Sequence, residues 1–478
     1  MLIRELRRLI LVVAPLVLLV YTVFRYSDTI VSYSQPESWG DRTLVISNIL
    51  PEDQDQQAIK NQEDPQRGEF ESNEGLPEVL SSHNNNDNNA GDYSIDTHLE
   101  LYSVSTLDGK YFKIKFGDKP VINPNIIPHP LLEDTWIIVA QEHDPTDDMH
   151  THFVELACDA TFAEFGNELS CLPHPIELPI APTGPGKCEG DIAYMGLNVG
   201  PHDARIFYGP QKPFAVYGSN SRETCFGQWI QDFSVLMNWG SGAQFLDADI
   251  QEQEQDDLFQ LGTELHRPPP VFPIEKNWFL FWDPDGQIYA HYEIAPRRVF
   301  AQLGADGSAG LDLASFAAAA GDEACMEKHM PEAILENEFI HQATNSLSIT
   351  LCRQSDPVCQ PSDTNTFLFT IFQHKTFQNF HSVYEPYVMV FRRRPPFEVY
   401  GISRKPLWIH GRDERSRMFY VTAISWRGRG KKYHGYIDDV MFLSFGIEDR
   451  ETAGIDILAS DLLVGLGLCS EGQGSLLS

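Results

Sequence analysis

Two short segments of this chain place charged side chains beside apolar, strand-forming runs. His202, Asp203 and Arg205 fall in the first, and Ile206 and Phe207 follow them directly. The second segment begins at Glu275 and leads into Phe279–Phe281. Strands that end at a common mouth deliver polar side chains to it in this way, so the two segments predict one shared site.

Transfer at a sugar carbon needs the side-chain types found in these segments. The reaction passes through an oxocarbenium-like state and requires a carboxylate as acid, base or nucleophile, with further groups to hold a phosphate. We therefore expect Asp203 to be the catalytic residue and Arg205 and Lys276 to lie near the phosphates. Asn277 and Trp278 add an amide and an aromatic platform of the kind that sugar sites use.

Each of these residues also has a structural interpretation. An Asp beside an Arg is equally consistent with a buried ion pair between Asp203 and Arg205, and the same holds for Glu275 and Lys276. Trp278 taken alone is more often a core residue than a sugar platform. The combination of residue types favours function.

Later segments offer further candidates. His341 and Thr344 precede an apolar run, and His374 ends another, so these side chains could reach the same mouth and bind hydroxyl or phosphate groups. A single histidine is nevertheless more often structural. Asp438 and Asp439 precede the strand-like run 440–445, where alternation points only one of them inward. The alternative catalytic carboxylates are Asp191, Glu275, Asp438 and Asp439.

The elements that must position these residues are strands. Short runs rich in β-branched and aromatic residues cover 111–116, 135–140, 367–372 and 387–391, and Pro, Gly, Asp or Asn bounds each of them. Residues 279–292 predict a hairpin with its turn at 283–286. Helical periodicity is confined to 311–320 and 322–335. The pattern predicts an all-β domain, as a propeller, sandwich or barrel, with a loop insertion at about 246–270.

The N-terminal residues predict a membrane anchor. Residues 9–24 are apolar apart from Thr22 and Pro15, and three arginines at positions 4, 7 and 8 precede them. This charge bias favours a cytoplasmic N-terminus, and a cleaved signal peptide is the alternative. We expect a tail at 1–8, an anchor at 9–26, a stem at 27–98 and a lumenal domain at 99–478, held in the Golgi or endoplasmic reticulum membrane as a single-pass type II protein.

Charge separates the stem from the domain and excludes one class of partner. The net charge is −33 and the pI near 4.7, whereas binding nucleic acid needs a basic surface. Fourteen acidic residues against three basic ones lie between positions 36 and 98. Few aromatic residues accompany them, so the stem cannot bury enough apolar surface to fold and should be a disordered spacer.

The eight cysteines all follow the stem. An even number of cysteines in a lumenal domain predicts disulfides. Two pairs are close enough in sequence to form local bonds, Cys158 with Cys171 and Cys352 with Cys359.

No cofactor is predicted, and a divalent metal stays open. Two D-x-D segments, at 247–249 and 283–285, fit a pattern that could share a cation between carboxylates. The second is better explained as a turn. No G-x-S-x-G, P-loop or H-E-x-x-H motif occurs, which removes support for serine hydrolase, P-loop and zincin chemistry.

Four segments resemble, in type and order, five-bladed β-propeller carbohydrate-active proteins, among them β-mannoside phosphorylases and β-mannosyltransferases. These segments are Asn123 to Asn125, Gly200 to Phe207, Glu275 to Trp278 with the later Ala295 and Pro296, and His381 to Tyr387 including Tyr384. The family's acidic-Asp-Pro-Arg-Ile element is similar to residues 202–206, with His and Ala at the first and third positions here. The resemblance implies a sugar-holding funnel, with Asn123, His202 and Tyr384 among the residues that bind substrate.

These observations predict a type II membrane glycosyltransferase of the secretory pathway. Its donor would be a nucleotide-sugar, most plausibly of mannose, and its acceptor a glycan. A non-catalytic propeller that binds glycan or protein is the alternative from another class, and a glycoside hydrolase or phosphorylase is a third.

Overall fold

Short strands dominate the residues that the computed structural model of the protein describes, which are 97–143, 151–239, 258–333, 335–378, 381–413, 418–429 and 433–469. The predicted tail, the anchor at 9–26 and nearly all of the stem lie outside these ranges. In the described part, no helix has the length and apolar character needed to cross a membrane.

Twenty-five strands occur in the described residues. In the N-terminal half they are β1 (Leu99–Leu101), β2 (Phe112–Lys115), β3 (Val121–Pro128), β4 (Trp136–Glu142), β5 (Glu155–Phe162), β6 (Glu168–Cys171), β7 (Ile176–Glu177), β8 (His202–Tyr208), β9 (Pro213–Asn220), β10 (Phe226–Asp232), β11 (Thr263–Glu264), β12 (Phe279–Trp282), β13 (Ile288–Glu293) and β14 (Val299–Gln302). In the C-terminal half they are β15 (Glu338–Gln342), β16 (Leu347–Thr350), β17 (Thr366–Gln378), β18 (His381–Arg392), β19 (Val399–Ser403), β20 (Leu407–Ile409), β21 (Phe419–Trp426), β22 (His434–Tyr436), β23 (Val440–Ile447), β24 (Glu451–Leu458) and β25 (Leu466–Leu468).

Most strands pair with antiparallel neighbours, whereas the pairs β1–β20, β2–β6 and β16–β22 are parallel. One sheet has the order β11-β10-β9-β8, and another the order β12-β13-β14. A larger sheet runs β22-β16-β17-β18-β19-β25, and β15 also pairs with β17. A nine-stranded sheet runs β21-β23-β24-β2-β6-β5-β4-β3, with β7 on β5, while β1 pairs with β20. Most pairs are neighbours in sequence because short turns can join antiparallel strands directly.

The nine-stranded sheet nearly closes on itself. Its two outer strands, β3 and β21, approach each other, and the Ser425 hydroxyl donates to the carbonyl of Ile126 at 2.5 Å. The hydroxyl of Thr422 likewise donates to the carbonyl of Pro124. Hydrogen bonds from buried side chains therefore replace the missing backbone ladder between the two edges.

Buried side chains also join the other inner strands. Asn125 donates to the carbonyl of Ala204 at 2.8 Å and accepts from the amide of Ile206 at 3.1 Å, which links β3 to β8. Asn345 makes the same double contact with the backbone of Ile424 on β21, at 3.0 and 3.1 Å.

Two further bonds continue the connection between inner strands. The Ser346 hydroxyl donates to the carbonyl of Leu280 on β12 at 2.6 Å. The amide of Trp278 donates to Gln228 on β10 at 3.4 Å. Together with the preceding contacts, these bonds tie β3, β8, β12, β21 and the segment before β16 into one core.

Within the described ranges, the helices are few and short. They are α1 (Phe233–Leu236), α2 (Ala314–Ala319) and α3 (Asp322–His329), with 3₁₀ turns at Gly190–Leu197 and Ala459–Leu463. α2 and α3 confirm the two predicted helical segments, although both are shorter than the periodicity indicates.

Several local predictions are confirmed. β12 and β13 form the predicted hairpin, and the Asp283 carboxylate accepts from the amides of Asp285 and Gln287 in its turn. Residues 258–270 were expected to belong to a loop insertion. Instead they contribute β11, which pairs with β10, so this part belongs to a sheet.

Four disulfides join all eight cysteines. The predicted pairs Cys158–Cys171 and Cys352–Cys359 are confirmed. Cys188–Cys225 and Cys325–Cys469 join residues 37 and 144 positions apart, distances over which sequence alone selects no partner.

Candidate functional site

A cleft opens where β8 and the segment leading into β12 begin, and it includes seven of the predicted site residues. Its enclosed volume is about 30 Å³, and the volume reaches about 480 Å³ only when the open space at its mouth is included. The lining residues are His202, Asp203, Arg205, Phe207, Gly218, Phe226, Gln228, Lys276, Asn277, Trp278, Phe279, Ala343, Thr344 and Asn345. Segments that are far apart in sequence therefore meet as the two opening segments predict.

Asp203 is an exposed carboxylate on a fixed backbone. A β-bulge interrupts the pairing of β8 with β9 between His202 and Arg205. At this bulge, the amide of Asp203 donates to Gln141 at 2.8 Å, and Asn123 Nδ2 donates to Asp203 Oδ1 at 2.6 Å. The bulge thus aims the side chain while two neighbouring strands hold it.

Three residues at the mouth have left-handed backbone conformations. The φ angles are +54° at Asn123, +51° at Asp203 and +62° at Asn277. Asn and Asp tolerate this region better than other non-glycine residues, but it still costs on the order of 1–3 kcal/mol. The three strained residues lie on β3, on β8 and in the segment before β12. Backbone strain of this kind is typical of functional sites, where the direction of a side chain is kept at a cost in stability.

Arg205 lies beside Asp203 but does not form the ion pair that sequence offered as the structural alternative. Its Nη1 donates to the backbone carbonyl of Asp203 at 3.0 Å. The guanidinium also lies 6.0 Å from the ring centroid of Tyr420. Arg205 thereby supports the strained turn and adds positive charge to the cleft without binding the Asp203 carboxylate.

Glu155 on β5 is a buried carboxyl group directly behind this turn. Its side chain is fully buried, and Oε1 accepts from the amide of Ala204 at 3.0 Å, whereas Oε2 has no hydrogen-bond partner within the described structure. Burial raises the pKa of Glu155 to about 8, although the Ala204 amide lowers it; the charge of Asp203 adds to the rise and that of Arg205 opposes it.

Glu275, a predicted alternative catalytic residue, is held in a buried ion pair outside the cleft lining. It accepts from the amide of Phe272 at 2.8 Å and from Arg267 at 3.3 Å. Arg267 also binds Glu293. Burial raises the pKa of Glu275 to about 7 against the lowering effect of these partners. Glu275 therefore has a structural role, but its partner is Arg267 and not Lys276, with which the sequence interpretation paired it.

Lys276 and Asn277 both line the cleft, and a buried polar network positions Asn277. Gln342 donates to the carbonyl of Asn277 at 3.1 Å and lies 2.6 Å from Nδ1 of His291. Arg298 donates to His291 Nε2 at 3.1 Å and pairs with Asp322 at 2.6 Å.

The protonation state of this network follows from its contacts. Burial and the charge of Arg298 hold the pKa of His291 well below its ordinary value. Because Nε2 accepts from Arg298, the neutral ring carries its proton on Nδ1 and donates it to Gln342. The network thus has a single hydrogen-bond direction, which fixes the backbone before β12.

Trp278 lines the cleft mainly from within the core. Only 5% of its surface is exposed, and its ring packs edge-on against Tyr292 with centroids 4.7 Å apart. The predicted sugar platform therefore exposes little ring surface.

Thr344 also lines the cleft, and its hydroxyl is used within the protein. It accepts from the amide of Ile371 at 3.0 Å and donates to the carbonyl of Asn345 at 2.9 Å. Thr344 thereby shapes the wall of the cleft.

The predicted residues His341 and His374 lie on β15 and β17 of the seven-stranded sheet and do not line the cleft. His341 pairs with Gln373 in the β15–β17 register. His374 Nδ1 lies 3.7 Å from Glu385, which His98 contacts at 3.1 Å. Burial alone would raise the pKa of Glu385, but the neighbouring His374 and His98 side chains lower it to about 2.

Tyr384 connects this sheet to the cleft through aromatic contacts. Its ring packs edge-on against Tyr420 with centroids 5.0 Å apart, and Tyr420 in turn contacts Arg205. The ammonium of Lys375 lies 5.7 Å from the Tyr384 ring centroid. Tyr384 and Tyr420 therefore extend the aromatic and cationic character of the cleft along the beginnings of β18 and β21.

Three alternative carboxylates lie elsewhere. Asp191 is exposed on a 3₁₀ turn and does not line the cleft. Asp438 binds the backbone of Gln354 at 2.7 Å, and Asp439 accepts from the amide of Tyr436 at 2.8 Å. Asp438 and Asp439 both precede β23, and the first residues of β23 pair with the end of β21. They therefore lie about the length of one strand from Tyr420, which is at the start of β21. They line a different cavity. They cannot share a site with Asp203.

Sequence reasoning missed Glu155, Gln141 and Tyr420. Glu155 and Gln141 are adjacent partners on β4 and β5. Both polar residues lie in sequences whose other residues are typical of buried strands, and a polar residue in such a strand was the available indication of a functional role. Tyr420 at the start of β21 gave no sign beyond its residue type. In the described ranges, no group of three His, Cys, Asp or Glu residues could hold a metal.

Neither a protein-family model nor a curated protein sequence matches the chain. Among solved structures, it is similar to an N-acetylgalactosamine deacetylase from F. plautii in complex with blood group B trisaccharide, with a TM-score of 0.40 and 12% identity over 78% of this chain and 100% of that one.

Two further neighbours act on mannose-containing sugars. A β-1,2-mannobiose phosphorylase from Listeria innocua gives a TM-score of 0.33 and 9% identity over 76% of this chain and 96% of that one. A GDP-Man-dependent mannosyltransferase from Leishmania mexicana gives a TM-score of 0.34 and 11% identity over 76% of this chain and 90% of that one. Likenesses this low decide neither the fold nor the chemistry of this chain.

Proposed function

We propose that the described domain is a five-bladed β-propeller whose cleft transfers mannose from a nucleotide-sugar donor to a glycan. Five antiparallel units led by β3, β8, β12, β16 and β21 support the fold when the nine-stranded sheet is divided at its parallel β2–β6 pair. The side-chain bonds of Asn125, Asn345, Ser346 and Ser425 link the inner strands of neighbouring units. Such a ring of short meanders leaves few unpaired edges.

The composition of the cleft lining carries the functional proposal. Among the described lining residues Asp203 is the one carboxylate, and the cations Arg205 and Lys276 accompany it. Hydrolysis of a glycosidic bond by the usual route uses two carboxylates that flank the bond. One carboxylate with two cations is better suited to a reaction in which a phosphate group leaves or enters.

Each residue has a role in the proposed step. The acceptor hydroxyl gives its proton to Asp203 while its oxygen forms a bond to the anomeric carbon of the donor sugar. The bond from that carbon to the phosphate oxygen breaks, and the electron pair leaves with the nucleoside diphosphate. Because Asn123 occupies Asp203 Oδ1, Oδ2 is the oxygen that takes the proton. Arg205 and Lys276 stabilise the charge on the leaving group.

The cellular setting is part of the proposal. The apolar run at 9–24, the arginines before it and the acidic stem support a single-pass type II protein of the Golgi or endoplasmic reticulum membrane with its large domain in the lumen. Four disulfides in the domain are consistent with an oxidising compartment.

A phosphorylase is the second candidate, because the same cations could hold inorganic phosphate as the attacking group. A non-catalytic glycan-binding propeller is the candidate from another class. His202 and Ala204 favour it, since they stand where the resembling element carries an acidic residue and a proline.

One set of assays separates these candidates. Full-length protein in detergent would be incubated with a panel of nucleotide-sugars and glycan acceptors, and in parallel with mannose disaccharides and inorganic phosphate. Release of nucleoside diphosphate together with a one-sugar mass increase in the acceptor supports the transferase. Formation of a sugar phosphate supports the phosphorylase. Saturable glycan binding without either product would overturn both.

A further inference from the structure

A buried carboxyl group behind the cleft has no role in the step described above. Glu155 on β5 is completely buried, and its Oε1 accepts from the amide of Ala204 at 3.0 Å. Its Oε2 lacks a hydrogen-bond partner in the described ranges. A buried ionised carboxylate with an unpaired oxygen costs far more free energy than the neutral carboxyl group, which buries one unpaired O–H but no charge.

The contacts of Glu155 converge on the residue proposed to take the proton. Ala204 follows Asp203 directly, and the amide of Asp203 donates to Gln141, the cross-strand partner of Glu155. Two adjacent side chains on β4 and β5 thus bind two successive amides of the strained β8 bulge. Neither side chain reaches the cleft lining, so both act through the backbone.

Few charged groups surround Glu155. On β8 the charges of Asp203 and Arg205 act on it with opposite sign. On β4 its partner is the neutral Gln141, and β7, which also pairs with β5, carries the exposed Glu177. Because the charge of Asp203 already acts on Glu155, ionisation of Glu155 would place a second negative charge behind Asp203.

We propose that Glu155 is a positioning residue of this site, a buried neutral carboxyl that fixes the Asp203–Ala204 backbone and whose ionisation disables the site. The proposal rests on the proposed function for its effect on activity. It does not rest on that function for the neutral state of Glu155.

The sign of the expected pH dependence follows from burial. Burial raises the pKa of Glu155 in the folded protein to about 8, above its value in the unfolded chain. Its contribution to stability is therefore complete below the unfolded pKa and is lost as the pH rises through about 8.

Unfolding measurements test the neutral state without any substrate. In Glu155→Gln the group cannot ionise, yet its amide oxygen can still accept from Ala204. Melting temperatures of wild type and Glu155→Gln should be similar near pH 5 and diverge by several degrees in favour of the variant toward pH 8. The control is Glu164→Gln on the neighbouring exposed loop, which should show no pH-dependent difference. Parallel melting curves for wild type and Glu155→Gln would overturn the proposal.

Activity measurements test the positioning role. With a donor identified as above, Glu155→Gln should keep activity near pH 6 within about threefold and lose the alkaline fall that wild type shows around pH 8. Glu155→Leu removes the acceptor for Ala204 and should lower kcat at least tenfold at every pH while remaining folded by circular dichroism. An alkaline fall that persists in Glu155→Gln would contradict the role. If no donor is turned over, the pH dependence of glycan binding is compared between wild type and Glu155→Gln instead of that of kcat. The melting temperatures then decide by themselves whether Glu155 is neutral.

Discussion

At the scale of single residues, the site combines an exposed carboxylate with strained backbone support. Asn123 binds one oxygen of Asp203, and Arg205 binds its carbonyl, so the side chain and the main chain are held separately. The left-handed conformations of Asn123, Asp203 and Asn277 set the backbone direction at three positions around the mouth of the cleft. Residue types are the basis of the chemistry proposed for this group, but nothing in the sequence indicated its backbone strain.

Trp278 is the predicted site residue whose role the structure changes most. We predict that Trp278→Ala lowers the free energy of unfolding by about 3–5 kcal/mol, because it opens a cavity beside Tyr292 in the core. Chemical denaturation measures this loss. Trp278→Phe, which keeps an apolar ring, is the matched control and should lose much less. A stable Trp278→Ala protein with a raised KM would instead restore the sugar-platform interpretation.

At the scale of elements, local signals were predictable and long-range ones were not. The 279–292 hairpin and the Cys158–Cys171 and Cys352–Cys359 disulfides depend on nearby residues, and all three were predicted. Strand alternation shows which face a residue occupies but not which end of the molecule its strand reaches. For that reason Asp438 and Asp439 were grouped with Asp203 although they lie at the other end of their unit.

The contacts between inner strands were also beyond sequence reasoning. Asn125 and Asn345 read as ordinary polar residues, yet each satisfies one amide and one carbonyl of a neighbouring strand. Their partners are known only once the fold has placed the strands together.

The Asn345 contacts allow a direct test at this scale. We predict that Asn345→Ala lowers the free energy of unfolding by about 2–5 kcal/mol, because the amide and carbonyl of Ile424 lose their partner while buried. Urea denaturation of the domain measures it. Asn167→Ala, on the exposed loop between β5 and β6, is the control and should change stability little. Equal stability of the two variants would show that the Asn345 contacts do not hold β21 in place.

At the scale of the whole molecule, the sequence divides the chain into an anchor, an acidic stem and a β-rich domain. The structure describes the domain from residue 97 onward. It adds the near closure of the nine-stranded sheet and the Cys325–Cys469 disulfide, which joins the last strand to α3.

Orientation in the membrane is a separate prediction at this scale. Because Arg4, Arg7 and Arg8 precede the apolar run, we predict that protease added to sealed microsomes leaves residues 99–478 intact and removes at most the short tail. Immunoblotting with an antibody to the domain reads the result, and detergent-treated microsomes are the control. Digestion of the domain in sealed vesicles would reverse the orientation.

The most direct measurement of the central claim is the kcat of Asp203→Asn for the donor that wild type uses. The substitution keeps size and can keep a contact with Asn123, but it removes the group that takes the proton. We predict a loss of roughly 10²–10⁴ in kcat with an unchanged melting temperature, while the control Asp191→Asn keeps wild-type kcat. A folded Asp203→Asn protein with wild-type kcat would contradict the claim that this cleft performs the chemistry through Asp203.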